Sequence, residues 1–259
     1  MNNHKHIRIF QVTDSHISAD DSQQWFGRQP DQCLKTIINN INNDTGEESI
    51  TLATGDLSHD GSEQSYKNIL NHMSRLSMPV YCLPGNHDKL GNMNKFLNQG
   101  NVETGSHLIK NNWLIIMINT LTPGEEHGSL SEIELKRIEN LLAEHKNKFV
   151  LIAMHHPPID INCAWIDRKK LSDSKAFMET ISRYQNIRAV ISGHVHQQSN
   201  ITVQGVQYFS TPSSCHQYLP GSEEFAVDNI EPGYRRIDMH DDGSIHSDIV
   251  RVAIDEYSL

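Results

Sequence analysis

Apolar positions along the chain fall into short runs that alternate with stretches of helical spacing. Ile7 to Thr13 is a β-prone run and predicts a first strand. Leu34, Ile37, Ile38 and Ile41 then follow the i, i+3, i+4, i+7 spacing of one helix face. Ile50 to Thr54 predicts a second strand, Tyr66, Ile69, Leu70 and Met73 a second helix, and Val80 to Leu83 a third strand closed by Pro84-Gly85. The second half repeats this order. Trp113 to Asn119 predicts a strand, and Ser131-Glu132-Ile133-Glu134 reads as a capping box opening a helix with Leu135, Ile138 and Leu142 on one face. Phe149 to Met154 and Ala189 to Ser192 predict strands on either side of a helix around Phe177 and Ile181. Gly233 to Arg251 reads as a hairpin turning at Asp242-Gly243. Strands alternating with helices predict an α/β fold. No repeat, low-complexity tract or Gly/Ser linker divides the chain, so the expectation is a single domain, 1–259, with the C-terminal β-hairpin as an extension.

Composition narrows the partners. Lys and Arg number 22 against 32 Asp and Glu, a formal charge of −10. That balance argues against binding a nucleic acid through its phosphate backbone, which needs clustered cations. The longest apolar runs, Trp113 to Ile118 and Phe149 to Met154, are far too short for a helical membrane span. The start, Met1-Asn2-Asn3-His4-Lys5-His6, lacks the apolar core of a signal peptide. Cys33, Cys82, Cys163 and Cys215 form no C-x-x-C pair and are expected to be buried reduced thiols of a cytoplasmic protein. The sixteen histidines are the unusual entry.

Several predicted strands stop at a metal-ligand residue type. The endings are Asp14-Ser15-His16, Gly55-Asp56, Gly85-Asn86-His87-Asp88, His155-His156-Pro157-Pro158 and Gly193-His194-Val195-His196. Each alone is weak: Gly-Asp and Gly-Asn are ordinary turn dipeptides, Asp14 can serve as a cap and His155 as a core residue. In open α/β sheets, however, the carboxyl ends of strands converge on one crevice. Two carboxylates, one amide oxygen and four imidazoles without a thiolate suit manganese, iron or zinc rather than calcium. Seven donors exceed one tetrahedral site but match two metals sharing a carboxylate. Paired metals about 3.5–4 Å apart hold both sides of an in-line phosphoryl displacement, so the chemistry predicts phosphoester hydrolysis.

The ordered set D-x-H, G-D, G-N-H-D, H-H-P-P and G-H-x-H resembles the calcineurin-like metallophosphoesterases over about residues 7–250. Within that superfamily the chain is most similar to the bacterial class III 3′,5′-cyclic AMP phosphodiesterases. The closer likeness rests on His127-Gly128-Ser129-Leu130-Ser131, Cys163-Ala164-Trp165-Ile166-Asp167, Thr211-Pro212-Ser213-Ser214-Cys215 and Ile230-Glu231-Pro232-Gly233-Tyr234-Arg235. The resemblance implies a four-layer α/β/β/α sandwich with the site at the strand ends. It implies that Asp14, His16, Asp56 and His196 bind a first metal, and that Asp56 bridges to a second completed by Asn86, His155 and His194. His87 takes the place of the family's non-ligand histidine, contacting the phosphate alongside Asn86 and protonating the leaving oxygen.

Two divalent or trivalent ions are implied, iron or manganese first and zinc as the alternative. The implied reaction opens cyclic AMP to 5′-AMP, a small-molecule substrate with no nucleic-acid or membrane partner. Glycerophosphodiesters or other small phosphodiesters are the alternative substrates, and a non-catalytic binding module on the same fold is a further reading. His156 is expected outside the ligand set, and Asp88 is expected to orient His87 through a hydrogen bond. His59 and Asp60 either touch substrate or form a solvated loop; Trp25, Phe26 and Trp165 either stack on a base or pack. Ser18 to Gly27 does not align with the family pattern.

Overall fold

Parallel strands bearing apolar residues on both faces need cover on both, and the chain supplies it with two stacked sheets and outer helices. The computed structural model describes residues 6–46 and 48–254; the start Met1 to Lys5, Glu47 and residues 255–259 lie outside the described residues. The first sheet begins with parallel β1 (His6–Val12), β2 (Ser49–Thr54), β3 (Val80–Leu83) and β4 (Val102–Thr104). The helices between them are α1 (Pro30–Asn43), α2 (Glu63–Met73) and α3 (Leu90–Phe96). The second sheet contains β5 (His107–Lys110), β6 (Trp113–Met117), β7 (Phe149–Ala153), β8 (Ile187–Ser192), β9 (Ser199–Val203) and β10 (Val206–Ser210), in the order β5-β6-β7-β8-β10-β9. Its connections carry α4 (Glu132–Glu144), α5 (Ala164–Asp167) and α6 (Ser174–Ile181). A short pair, β11 (Gln217–Tyr218) and β12 (Val227–Asp228), precedes β13 (Gly233–His240) and β14 (Ile245–Arg251). This last hairpin returns to the first sheet and lies antiparallel on β1, giving β14-β13-β1-β2-β3-β4.

The pleat divides each apolar run between two cores. Ile7, Ile9, Ile50, Leu52, Trp113, Ile115 and Leu151 fill the layer between the sheets. Phe10 and Val12 face the other way and meet Leu34, Ile37 and Tyr66 of α1 and α2. Leu114, Ile116, Val150 and Ile152 meet Ile138, Leu142 and Phe177 of α4 and α6. Each such buried side chain contributes about 1.5–3 kcal/mol of apolar burial. The result is the expected α/β/β/α order of layers.

Besides the short α3, α5, β4, β5, β11 and β12, which the spacing did not announce, three local readings need amendment. β6 stops at Met117 rather than Asn119. Only half of the capping box forms: Ser131 Oγ accepts the Glu134 N–H at 3.1 Å, but the Glu134 carboxylate turns to Arg137 at 2.6 and 2.8 Å instead of back to Ser131. The charge-assisted bonds to guanidinium outcompete a single backbone donor. The β9-β10 hairpin was not anticipated; its turn is Gln204-Gly205, both with positive φ at 51° and 83°. A Gly after a polar residue, flanked by alternating Ile201, Val203, Val206 and Tyr208, was its signal.

Arg235 of β13 ties this edge of the second sheet to the first. Its guanidinium donates to the carbonyls of Ser210 and Ser199 and to Thr211 Oγ1 and Ser247 Oγ, all within 3.2 Å. Burial pushes it down to about 10, so it stays charged at neutral pH.

Candidate metal centre

Strands β1, β2, β3, β7 and β8 run parallel within their sheets, so the residues that follow them collect at one end of the sandwich. Asp14 and His16 follow β1, Asp56 follows β2, Asn86 and His87 follow β3, His155 follows β7, and His194 and His196 follow β8. Asp14, His16, Asp56, His155, His194 and His196 are buried; Asn86 is half-buried and His87 is exposed.

The donors form two groups around one carboxylate. In the first, His196 Nε2 lies 3.2 Å from His16 Nε2 and 3.3 Å from Asp14 Oδ1. In the second, His155 Nε2 lies 3.2 Å from Asn86 Oδ1, and the His194 ring stands 5.1 Å from the His155 ring. Asp56 Oδ2 reaches both, at 4.0 Å from His16 Nε2 and 3.4 Å from His155 Nε2. Backbone carbonyls fix the rings. His155 Nδ1 donates to Thr54 at 2.9 Å and His196 Nδ1 to His216 at 2.8 Å, which turns each Nε2 lone pair inward. Among the described residues His194 Nε2 is buried with no hydrogen-bond partner. An unpartnered ring nitrogen among imidazoles, two carboxylates and an amide oxygen belongs to a donor set that fits borderline first-row metal ions. Asp14, His16 and Asp56 bring ligand atoms within 4.8 Å of one another, as do His155, His156 and His194.

Backbone conformation aims these side chains. Asp14, His16, Asp56, His194 and His196 all have positive φ, between 48° and 68°. Left-handed geometry costs about 1 kcal/mol or more at each non-glycine residue, and Asp and His tolerate it better than branched side chains. The strain is held by close packing. A Cβ on Gly85 would stand 2.2 Å from Asp56 Oδ1, and one on Gly193 2.0 Å from Thr13 Oγ1 and 2.7 Å from Asp14 Oδ2. Thr13 Oγ1 and the His194 N–H both donate to Asp14 Oδ2, and the His87 N–H donates to Asp56 Oδ1 at 2.8 Å.

Charge follows from burial. Burial opposes the charge on Asp56, but the protonated His155 beside it holds its carboxyl well below the usual range. Burial also opposes protonation of His155, yet the Asp56 and Asp14 carboxylates win and lift it to about 9. His194 is pushed down to about 3 by burial and by His155, and His16 is held well below its ordinary value by burial.

Asp88 does not orient His87. Its carboxylate accepts the N–H groups of Leu57, Ser58 and Gly85 and the Tyr66 hydroxyl, pinning the loop after β2 to the loop after β3. Burial and the Asp56 charge push it up to about 6. The partner of His87 is instead the His59 carbonyl, which accepts from Nδ1 at 3.1 Å. His156 Nδ1 is bonded to Thr120 Oγ1 at 2.8 Å. Asp60 accepts the N–H groups of Ala19 and Ser62, so it orders its loop. His59 lies under Trp25, ring centroids 3.8 Å apart. Trp165 is buried against Tyr218 and Phe225, which is packing.

Sequence reasoning missed His216. It is buried 4.5 Å from the His196 ring, its carbonyl fixes His196, and burial with the neighbouring His196 pushes it down to about 2. Its only signal was its place directly after Thr211–Cys215.

The calcineurin-like phosphoesterase family matches residues 7–198, more than half of the chain. The chain is 31% identical to a 3′,5′-cyclic adenosine monophosphate phosphodiesterase of Haemophilus influenzae, over 97% of this chain and 92% of that protein. It is 35% identical to a 3′,5′-cyclic-nucleotide phosphodiesterase of Nostoc sp., over 97% and 95%. Its fold is similar to that of a dimetal phosphatase from Danio rerio, with a TM-score of 0.64 at 14% identity over 95% of this chain and 99% of that one.

Proposed function

The chain belongs to the calcineurin-like phosphoesterase family, and on that premise we propose that it is a dinuclear metal phosphodiesterase opening 3′,5′-cyclic AMP to 5′-AMP. The observation that carries the reading is the gathering of nitrogen and oxygen donors in two groups that share the Asp56 carboxylate. Similarity over nearly the full length to cyclic nucleotide phosphodiesterases supports the choice of substrate. The reading treats 1–259 as one metallophosphoesterase domain, with β13 and β14 as its C-terminal extension. A cytoplasmic setting fits the four cysteines, all buried and free.

On this reading Asp14, His16, Asp56 and His196 hold one ion, and Asp56, Asn86, His155 and His194 hold the other. Iron or manganese is the choice the family resemblance implies, with zinc the alternative; nitrogen and oxygen donors serve all three. When bound, such a pair supplies Lewis-acid polarisation of the phosphoryl group and an activated water nucleophile. The chain's own work is to orient and to move a proton. Thr54 and His216 carbonyls keep two imidazoles in one tautomer, and the Asp14 and Asp56 carboxylates set the charge of the floor. Asn86 and His87 stand at the accessible lip, where the phosphate arrives. His87, with Nδ1–H on the His59 carbonyl, gives a proton from Nε2 to the 3′ oxygen as the P–O3′ bond breaks. Water adds its oxygen to phosphorus and releases a proton to solvent, and the phosphate stays on the 5′ side.

The test is a kinetic comparison of cyclic AMP, cyclic GMP and a glycerophosphodiester on metal-loaded protein, with product identified. Cyclic AMP is expected to give 5′-AMP and to lead the glycerophosphodiester in kcat/KM. A tenfold lead for the glycerophosphodiester, about 1.4 kcal/mol of transition-state discrimination, overturns the substrate.

A further inference from the structure

Resting on the nucleotide reading above, we propose that Phe26 is the surface on which the substrate's base stacks. Phe26 occupies the tip of a tight turn in which the Trp25 N–H donates to the Arg28 carbonyl at 2.8 Å and the Arg28 N–H returns to the Trp25 carbonyl at 3.0 Å. Both tip residues are left-handed, Phe26 at φ 51° and Gly27 at 78°. Turns of this kind are ordinarily filled by Asn, Asp or Gly. Of the nine non-glycine residues with positive φ among the described residues, five are donors of the metal centre and Phe26 is the one bulky apolar side chain.

Core packing does not account for that choice. Phe26 is 55% exposed. It rests on His216, ring centroids 5.0 Å apart, and on Phe225 at 5.6 Å. His216 in turn lies 4.5 Å from His196 and 5.4 Å from His16, so one side chain separates the open ring from the metal donors. The turn is anchored from behind. Arg28 pairs with Glu231 at 2.7 Å and donates to the Ile230 carbonyl at 3.3 Å. Backbone strain, an exposed ring and a rigid anchor coincide beside the centre, which is where strain serves binding rather than folding.

The neighbouring aromatics leave this role to Phe26. Trp25 is covered by His59, and Trp165 is buried behind Tyr218 and Phe225. Four of the seven exposed large hydrophobic residues described, Phe26, Leu219, Phe225 and Ile230, belong to the segments around this rim. An apolar rim beside a polar, metal-binding floor suits a ligand with one flat end and one phosphate end. A glycerol ester has no flat end.

Competitive inhibition constants and calorimetric binding of 5′-AMP and ribose 5-phosphate to the metal-loaded protein test the assignment. Wild type is expected to bind 5′-AMP at least tenfold more tightly, the size of one base–aromatic stack. Phe26→Ala should lose about that factor on 5′-AMP and less than twofold on ribose 5-phosphate, and Phe26→Trp should restore it. Phe26→Asn, which accepts left-handed backbone readily, should show the same selective loss with an unchanged or raised Tm. Equal losses on the two ligands, or none on 5′-AMP, overturn the proposal. A selective loss in a protein that fails to turn over cyclic AMP upholds the stacking surface and overturns only the substrate.

Discussion

His87 differs from the donors around it. Its ring is exposed, its Nδ1 is bonded to a carbonyl, and its backbone N–H rather than its imidazole engages Asp56. His87→Ala should therefore keep the metal content of wild type while turnover of cyclic AMP falls about 10²–10⁴-fold, the range of general acid catalysis. The loss should shrink for a nitrophenyl phosphodiester, whose leaving group needs little protonation; equal losses would reduce His87 to phosphate positioning. His155 carries the opposite signature. A proton and a metal ion compete for its Nε2 lone pair, and the carboxylates lift its pKa to about 9. With a folded pKa above the ordinary 6.5, His155 stabilises chelated protein fully below pH 6.5, and the contribution is lost as pH rises through 9. The Tm of chelated protein should fall across that window while that of loaded protein holds; parallel curves would contradict this. Both histidines were legible in the sequence, because each follows an apolar run in a short motif. The left-handed backbone at Asp14, His16 and Asp56 was not, since contacts from other loops impose it.

Elements place the site by where they stop. The strand endings were readable from the spacing, but what joins the loops beyond them was not. Asp88 looked like a partner for its neighbour His87, yet its four donors come from the β2 loop, its own loop and α2. A carboxylate satisfies three amides and a hydroxyl at once, which an adjacent imidazole cannot offer from one side. Asp88→Ala leaves those buried donors unpaired and should lower stability by about 3 kcal/mol. It should also weaken metal retention, because Asp56 and Asn86 ride on the two loops it joins. Wild-type Tm and metal content in that variant would show the bonds to be dispensable. His216 escaped notice for a related reason: its role depends on β10 ending beside β8, a pairing fixed by the unanticipated β9-β10 hairpin.

Across the whole molecule, charge was readable from composition and the return of the chain was only partly so. At −10, the protein meets polymeric DNA and RNA with repulsion that salt screens. Hydrolysis of either polymer should be negligible beside that of cyclic AMP; comparable rates would place the substrate elsewhere. The final hairpin was visible as a turn with flanking strands, but nothing local said that β13 would cross to β1, pairing Ile9 with Ile237. That pairing has a consequence in time. Contacts between the two ends of a chain form late and slowly, because the intervening loop must close first. Every residue assigned to the metals has been synthesised by His196, yet β1 keeps a bare edge until β13 is made. Arg235, which ties the two sheets together, arrives with the same strand. A nascent chain stalled before Gly233 thus holds the full set of donors on an unfinished sheet, and an open strand edge is a surface for aggregation.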